Sequence, residues 1–322
     1  MNKEVGLVPI TDFANSQTAI DFRYILNSIF KLNLNNRVLN EIDYTYDRYL
    51  EFLELYEKVN DKKLYDETMQ TDEILYLHSA ELKKEEKEKF IDTIANNVYT
   101  ESSIEYMSNK QLQHGKILIP NIKRLHNILF NDIVIEKEYD NFRLDDNKFV
   151  GYFVNENEKY VQYYPPLASD IDKSMNELIT YLNDPSLDGN NPNTYIDTKD
   201  IDFHKKYALF ISPLITQAML AIIQPFDDGN TRTAKVMNYA NMLKRTNDYL
   251  DKKYNLPKIY FSKFYMPYLQ QYREYIASIA VNPNDDNWNK WFMLGLHTMQ
   301  DYMDYGENFI EENNLISSKK VY

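Results

Sequence analysis

The 322-residue sequence contains no cysteine, which excludes disulfide bonds, thiolate catalysis and cysteine-based metal sites. Glycine is also scarce, with seven residues, whereas Leu, Ile, Tyr, Lys, Glu and Asn are abundant, and this composition favours helix over sheet. No run of about 18 apolar residues appears, and residues 1–6 lack the apolar core of a signal peptide. We therefore expect a cytoplasmic protein with no membrane partner.

Basic residues are fewer than acidic ones, so the net charge is −13 and the pI is about 4.9. An acidic surface repels phosphate backbones, so this balance argues against DNA or RNA as the main partner. Hydrophobic residues make up 43% of the chain, which is therefore able to bury a substantial core. We expect two closely packed subdomains.

The most informative stretch covers residues 222–240. An apolar run ends at Pro225, and a short loop rich in Asp, Gly and Asn follows. Apolar residues then recur at the helical spacing of four and three, at Val236, Ala240 and Leu243. The pattern predicts a helix, a polar loop and a second helix.

This loop has the residue types of an anion site. Unpaired backbone N–H groups and the helix dipole favour a negative group at a helix N-terminus. Asp228 offers a carboxylate to a hard cation such as Mg²⁺, and Asn230 and Arg232 offer donors to phosphate oxygens. The alternative is an ordinary turn between two helices with a capping residue, and the residues alone leave both interpretations open.

The segment resembles the signature of the Fic (Fido) family, His-Pro-Phe-x-Asp/Glu-Gly-Asn-Gly-Arg-x-x-Arg. The positions that match are Pro225, Phe226, Asp228, Gly229, Asn230 and Arg232. Three positions differ: Gln224 replaces the catalytic His, Thr231 replaces Gly, and Lys235 replaces the final Arg.

The resemblance implies a protein AMP transferase. Family members typically transfer AMP from ATP to a hydroxyl side chain of a target protein, with the acidic residue, here Asp228, holding Mg²⁺. The implied nucleotide-binding residues are Gly229, Asn230, Thr231, Arg232 and Lys235. Gln224 stands in the position of the catalytic base, but a carboxamide has no useful basicity near neutral pH and can only orient the hydroxyl. Losing a general base typically costs about 10²–10⁴-fold in rate.

The other two departures also weaken phosphate binding. Thr231 is β-branched where Gly would take positive φ and allow close backbone approach. Lys235 keeps the charge but offers a point contact in place of a bidentate fork. An impaired transferase, a pseudoenzyme that binds nucleotide or protein without turnover, and a plain helical interaction domain therefore all remain open.

Residues 95–110 resemble the inhibitory helix of Fic proteins, Ser/Thr-x-x-x-Glu-Gly/Asn, with Glu105 in the place of its Glu. The resemblance implies that Glu105 contacts Lys235 and blocks the γ-phosphate position of ATP. Glu101 and Tyr106 depart from the flanking pattern. The alternative is a surface Glu on a packed helix.

Residues 121–143 are predicted to begin with a helix, and they resemble a Fic segment. The matching residues are Leu125, His126, Leu129, Phe142 and Arg143. We interpret His126 as a hydrogen-bonded structural residue, because a lone His on a regular helix is usually of that kind.

The one convincing β segment runs from Phe149 to Tyr164, where two runs rich in Val, Phe and Tyr flank residues 155–158. In Fic proteins the corresponding hairpin, or flap, pairs with an extended segment of the target protein, and edge-strand addition explains how. The alternative is a small structural hairpin.

We therefore predict a mainly α fold: a Fic-like helical bundle with a small β-hairpin flap and a helical N-terminal region. The predicted parts are an N-terminal region (1–94), a Fic-like domain (95–305) with its flap at 148–164, and a polar tail (306–322). The predicted helices include residues 19–30, 44–59, 171–182, 203–223, 265–280 and one after residue 287. Expected partners are a nucleotide and a target protein, and a homo-oligomer stays open.

Overall fold

The computed structural model describes residues 8–9, 19–79, 116–130, 141–146, 148–155, 158–183, 201–250, 254, 257 and 261–316. The helices up to the hairpin are α1 (Phe22–Ile29), α2 (Asn36–Glu57), α3 (Lys62–Ser79) and α4 (Ile119–Phe130). Those after it are α5 (Ala168–Leu182), α6 (Ile201–Lys206), α7 (Ser212–Ile223), α8 (Asn230–Tyr249), α9 (Ser262–Tyr265), α10 (Leu269–Val281) and α11 (Asp285–Glu312). The strands are β1 (Val8–Pro9), β2 (Val150–Asn155) and β3 (Glu158–Tyr163). The predicted mainly α fold with a small β-hairpin is confirmed.

Polar caps set where the first helices begin. The Asp21 side chain accepts from the N–H of Arg23 at 3.0 Å ahead of α1, and the Asn35 side chain accepts from the N–H of Val38 at 2.9 Å ahead of α2. A side-chain oxygen that bonds an orphan N–H of the first turn stabilises that end of a helix. Helix α2 therefore starts at Asn36, well before the predicted start at Tyr44.

The N-terminal helices pack on the last helix through aromatic rings. Phe52 of α2 lies edge-on to Tyr302 of α11 at 5.7 Å, and Tyr65 of α3 lies edge-on to Phe309 at 5.9 Å. Helix α11 runs through Gly306 to Glu312, although the sequence analysis assigned residues 306–322 to a polar tail. The last helix thus binds the N-terminal region to the rest of the core.

The centre of the core is α7, in which every residue is buried. It continues α6 through a π-helical turn, Tyr207–Ile211, directly before Pro213. Proline removes one helical hydrogen bond, and a π turn is one way to absorb that loss. The stretch Phe203–Ile223 is long and apolar enough to cross a membrane by length and composition, and 94% of the relevant window is buried inside the fold. That burial identifies a core helix.

The hairpin is part of a three-stranded antiparallel sheet in the order β1-β3-β2. Strands β2 and β3 pair from Val150 and Tyr163 to Asn155 and Glu158, and β1 pairs with the other edge of β3. The sequence analysis predicted the hairpin but not β1, because two residues provide no periodicity. Residues 95–110, which include Glu105, lie outside the described residues.

Candidate functional site

The signature loop, residues 224–229, connects the buried ends of α7 and α8. Gln224 ends α7 in the left-handed conformation, with φ 49° and ψ 56°, and Gly229 precedes α8 with φ 74°. Left-handed backbone is easy for Gly and costly for most other residues. Thr231 lies within α8, so the conformation that needs Gly falls at Gly229 and not at Thr231.

The Asn230 side chain bonds to the loop backbone at Phe226. Its Nδ2 donates to the carbonyl of Phe226 at 2.8 Å, and its Oδ1 accepts from the N–H of Phe226, also at 2.8 Å. The side chain is buried, so both ends of the amide are used within the loop. A role of Asn230 toward phosphate stays a prediction.

The underside of the loop is supported by His126 of α4. Its imidazole stacks on the ring of Phe226, with centroids 3.7 Å apart and planes 12° from parallel. Its Nε2 lies 2.9 Å from the carbonyl oxygen of Asp228. His126 is buried and hydrogen-bonded, as predicted for a structural residue.

Two cations hold the backbone carbonyls of the loop. Buried Arg143 donates from Nε to the carbonyl of Gln224 at 2.8 Å, and also to the carbonyls of Asp145 and Pro166. Lys148 donates from Nζ to the carbonyl of Asp227 at 2.5 Å. Burial lowers the pKa of both cations.

Sequence reasoning matched Arg143 to a family pattern without giving it a role, and it did not find Lys148. Both are more than 70 residues from the loop, with separations of 81 and 79 in the chain. No local pattern near either residue indicates such a contact.

The N-terminus of α8 has the geometry of an anion site. Gly229 makes no side-chain cap, and the first intrahelical bond is donated by the N–H of Thr233 to the carbonyl of Gly229 at 2.9 Å. Helix geometry leaves the earlier N–H groups without intrahelical acceptors. Asp228 is exposed, and its carboxylate lies 3.5 Å from Nη2 of buried Arg232. The site therefore combines backbone donors, a carboxylate and a guanidinium.

A cleft of about 580 Å³ opens beside this terminus. The residues that line it belong to the base of the hairpin, including Gly151 and Gln162, and to α10. Gln224 and Thr231 line it as well. The Gln224 side chain donates from Nε2 to the carbonyl of Ala221 at 2.6 Å. A volume of this size suits a small-molecule ligand, since such pockets measure roughly 300–1,000 Å³.

Lys235 lies one helical turn after Thr231 in α8 and is not among the described residues that line the cleft. Its Nζ is 5.7 Å from the ring centroids of both Tyr265 and Tyr272, and the side chain is buried. Glu73 of α3 is within its electrostatic reach. The predicted contact between Lys235 and Glu105 lies outside the described residues.

Glu73 is a buried carboxylate that the sequence analysis did not find. It accepts from the N–H of Ser262 at 2.8 Å and from its Oγ at 2.7 Å. Burial raises the pKa of Glu73, and the bonds from Ser262 and the charge of Lys235 oppose that rise. The Lys235 side of α8 therefore already faces the carboxyl group of Glu73.

No group of three or more His, Cys, Asp or Glu side chains within the described ranges is arranged to hold a metal ion. Mg²⁺ is usually bound through one or two carboxylates together with phosphates and water. Exposed Asp228 is therefore consistent with a Mg²⁺ ligand that acts together with a nucleotide.

Comparisons with known proteins give a family match and several similar folds. Residues 117–241 match the family model described as the Fic/DOC family. A Fic family protein from Desulfovibrio desulfuricans has a similar structure, with TM-score 0.51 and 15% identity over 90% of this chain and 78% of that chain. Fic-1 from C. elegans gives TM-score 0.51 and 12% identity over 86% of this chain and 73% of that one.

A Fic domain containing signaling protein from Bacteroides thetaiotaomicron gives the same TM-score, 0.51, with 12% identity over 83% of this chain and 97% of that one. At these identities the three structures show the fold alone. No curated protein matches the sequence significantly.

Proposed function

The chain belongs to the Fic/DOC family through residues 117–241, and from this premise we propose that it transfers AMP from ATP to a hydroxyl side chain of a target protein. The reaction joins the hydroxyl oxygen to the α-phosphorus and releases pyrophosphate. Because Gln224 supplies no basic group, the transfer is slower than it would be with an imidazole in its place.

The observation that carries this proposal is the position of the uncapped α8 N-terminus beside the cleft. Thr231 belongs to the first turn of α8 and also lines the cleft, so a ligand there meets the backbone donors. An anion at a helix N-terminus is favoured by those N–H groups and by the helix dipole. Arg232, in the same turn, adds a cation that can bond phosphate oxygens.

Mg²⁺ fits at Asp228, whose exposed carboxylate is able to hold it next to the phosphates. When bound, the ion neutralises phosphate charge. The protein's own groups orient the nucleotide: the first turn of α8 holds its phosphates, and Arg143 and Lys148 keep the loop in shape through its carbonyls.

The target protein docks at the hairpin in this proposal. Strand β1 already occupies the outer edge of β3, so the described sheet ends in two-residue β1 on one side and six-residue β2 on the other. Strand β2 therefore offers the longer edge for pairing with an extended segment. The start of β2 lines the cleft at Val150 and Gly151. A hydroxyl carried on such a segment would approach Gln224, which orients it by a hydrogen bond.

The residues that differ from the Fic signature support a second function. With Gln224 in the base position and Lys235 packed against tyrosine rings and Glu73, the chain would also suit a pseudoenzyme that binds nucleotide or a protein partner without turnover.

Measurements of ATP binding and of AMP transfer distinguish the transferase from the pseudoenzyme. Calorimetric titration of ATP with Mg²⁺ into the wild type and Asp228→Ala, followed by intact-mass analysis, tests both. We expect Asp228→Ala to weaken binding by about tenfold or more, which is ~1.4 kcal/mol. Asp286→Ala is the control, because Asp286 is an equally exposed carboxylate whose side chain is 72% accessible against 71% for Asp228.

A mass gain of one AMP supports the transferase, and binding without a mass gain supports the pseudoenzyme. Absence of binding in the wild type would contradict both. The inhibitory role of Glu105 rests on the resemblance and is tested in the same titration. We expect Glu105→Gly to bind ATP more tightly, and unchanged affinity would count against that role.

A further inference from the structure

The geometry points to Glu274 as the general base that takes the place of the missing imidazole at Gln224. This inference rests on the proposed AMP transfer. Glu274 belongs to α10 and lines the cleft that Gln224 and Thr231 line from the side of the signature loop. It is the only carboxylate among the described residues of that cleft.

The surroundings of Glu274 fit such a role. The side chain is half-buried, and its Oε1 accepts from Nε2 of Gln270 at 2.9 Å. Gln270 precedes Glu274 by one helical turn, and this bond restrains the Glu274 carboxylate. Gln270 also lines the cleft, so both residues of the bonded pair border it from α10.

A carboxylate is a sufficient base for this kind of step. Protein kinases use an Asp to accept the proton of a substrate hydroxyl during phosphoryl transfer. Here the hydroxyl proton passes to Glu274, the oxygen bonds to the α-phosphorus, and the bond from the α-phosphorus to the pyrophosphate oxygen breaks. The carboxyl then returns its proton to water. Atoms and charge balance with ATP and the hydroxyl as the reactants.

The other polar groups of the cleft are less suitable. Tyr163 is buried, its hydroxyl donates to the carbonyl of Ala221 at 3.1 Å, and burial raises its pKa. Burial also raises the pKa of Tyr272, to about 12. Arg273 is a permanent cation and cannot accept a proton. Gln224 has the amide oxygen as its acceptor and no basic nitrogen.

The test uses the full chain with ATP labelled at the α-phosphate, Mg²⁺ and a cell lysate as a source of hydroxyl side chains. Label on the chain itself and on lysate proteins is measured for the wild type, Glu274→Gln, Gln224→His and the double variant. Glu312→Gln is the control, because it makes the same charge change on an exposed residue at the end of α11. Calorimetry with ATP and Mg²⁺ shows whether each variant still binds.

We expect Glu274→Gln to lower transfer by about 10²-fold or more without a matching loss of ATP affinity. In the Gln224→His background an imidazole is present, so we expect Glu274→Gln to have little effect there. Transfer by Gln224→His should also fall as the pH drops below about 6.5, where the imidazole becomes protonated. A purely structural role for Glu274 predicts the same loss in both backgrounds.

Three outcomes overturn the inference. If the wild type transfers AMP and Glu274→Gln does so equally well, Glu274 is not the base and the proposed function survives. If Gln224→His transfers AMP but the wild type does not, the wild type has no working base and is a pseudoenzyme. If neither transfers AMP, the proposed function fails as well.

Discussion

At the scale of single residues, the departures from the Fic signature differ in their consequences. Thr231 has helical backbone, so its β-branched side chain causes no strain and the α8 N-terminus keeps its donors. Lys235 lies against Tyr265, Tyr272 and Glu73, and of these three residues Tyr272 lines the cleft. Gln224 is the change that alters the chemistry, because it removes a titratable group from the cleft wall.

The double hydrogen bond of Asn230 predicts a loss of stability when it is removed. Asn230→Ala leaves the N–H and the carbonyl of Phe226 without these partners in a buried loop. We expect the free energy of unfolding to fall by about 2 kcal/mol, measured by urea denaturation. Asn176→Ala on the exposed face of α5 is the control and should change it by less than about 0.5 kcal/mol. Equal effects of the two substitutions would contradict a stabilising role of the Asn230 hydrogen bonds.

Glu73 predicts a pH dependence of stability. Burial raises the pKa of Glu73 in the folded state, so the folded chain keeps this proton at pH values where the unfolded chain has released it. Stability therefore falls as the pH rises through the folded pKa. Glu73→Gln has no such titration, so the stability of the wild type relative to this variant should decrease as the pH rises above the ordinary Glu pKa of about 4.3. If the difference in stability between the wild type and Glu73→Gln does not change with pH, the prediction is wrong.

At the scale of secondary structure elements, periodicity and loop residues predicted the helix-loop-helix, the hairpin and most helices. The boundaries were less accurate where a single side chain sets them, as Asn35 does for α2. The π turn ahead of Pro213 was not predicted, because such a turn depends on the packing of the core. The supports of the loop, Arg143 and Lys148, come from distant parts of the chain and could not be predicted from local pattern.

Strand β1 leads to a prediction about the hairpin. Val8 and Pro9 pair with Val161 and Tyr160 on the outer edge of β3. Removing residues 1–9 exposes that edge, and we expect faster amide hydrogen exchange in β3 with unchanged exchange in α7. A chain that lacks only residues 1–6 keeps β1 and should exchange like the full chain. Equal exchange of β3 in both truncated chains would show that β1 does not protect it.

At the scale of the whole molecule, the last helix joins the parts that the sequence analysis treated separately. The indole N–H of Trp288 donates to Oγ of Ser28 in α1 at 3.0 Å, and that of Trp291 donates to the carbonyl of Leu214 in α7 at 2.9 Å. Further along the chain, Ile316 forms a β-bridge with Val59. We therefore expect the N-terminal helices and the Fic-like core to unfold together.

Gly306 lies at a close contact between α11 and the N-terminal helices. A Cβ at this position would lie 2.5 Å from Oη of Tyr65 and 2.9 Å from Cε2 of Phe52. Both side chains are buried, so Gly306→Ala should lower the free energy of unfolding by about 1–3 kcal/mol. Gln271→Ala, on the exposed face of α10, is the control and should stay within about 0.5 kcal/mol of the wild type.

The Gly306→Ala variant also tests whether the whole molecule unfolds as one cooperative unit. Far-UV circular dichroism reports all helices, whereas the fluorescence of the chain's two tryptophans, Trp288 and Trp291, reports the start of α11. If the molecule is one cooperative unit, the two signals give the same transition in the wild type and a transition shifted equally in Gly306→Ala. If the N-terminal helices form a separate unit, circular dichroism detects an early loss of helix in Gly306→Ala while the tryptophan transition stays unchanged. Coincidence of the two signals would mean that the aromatic contacts of α2 and α3 also stabilise the signature loop, through α11 and α7.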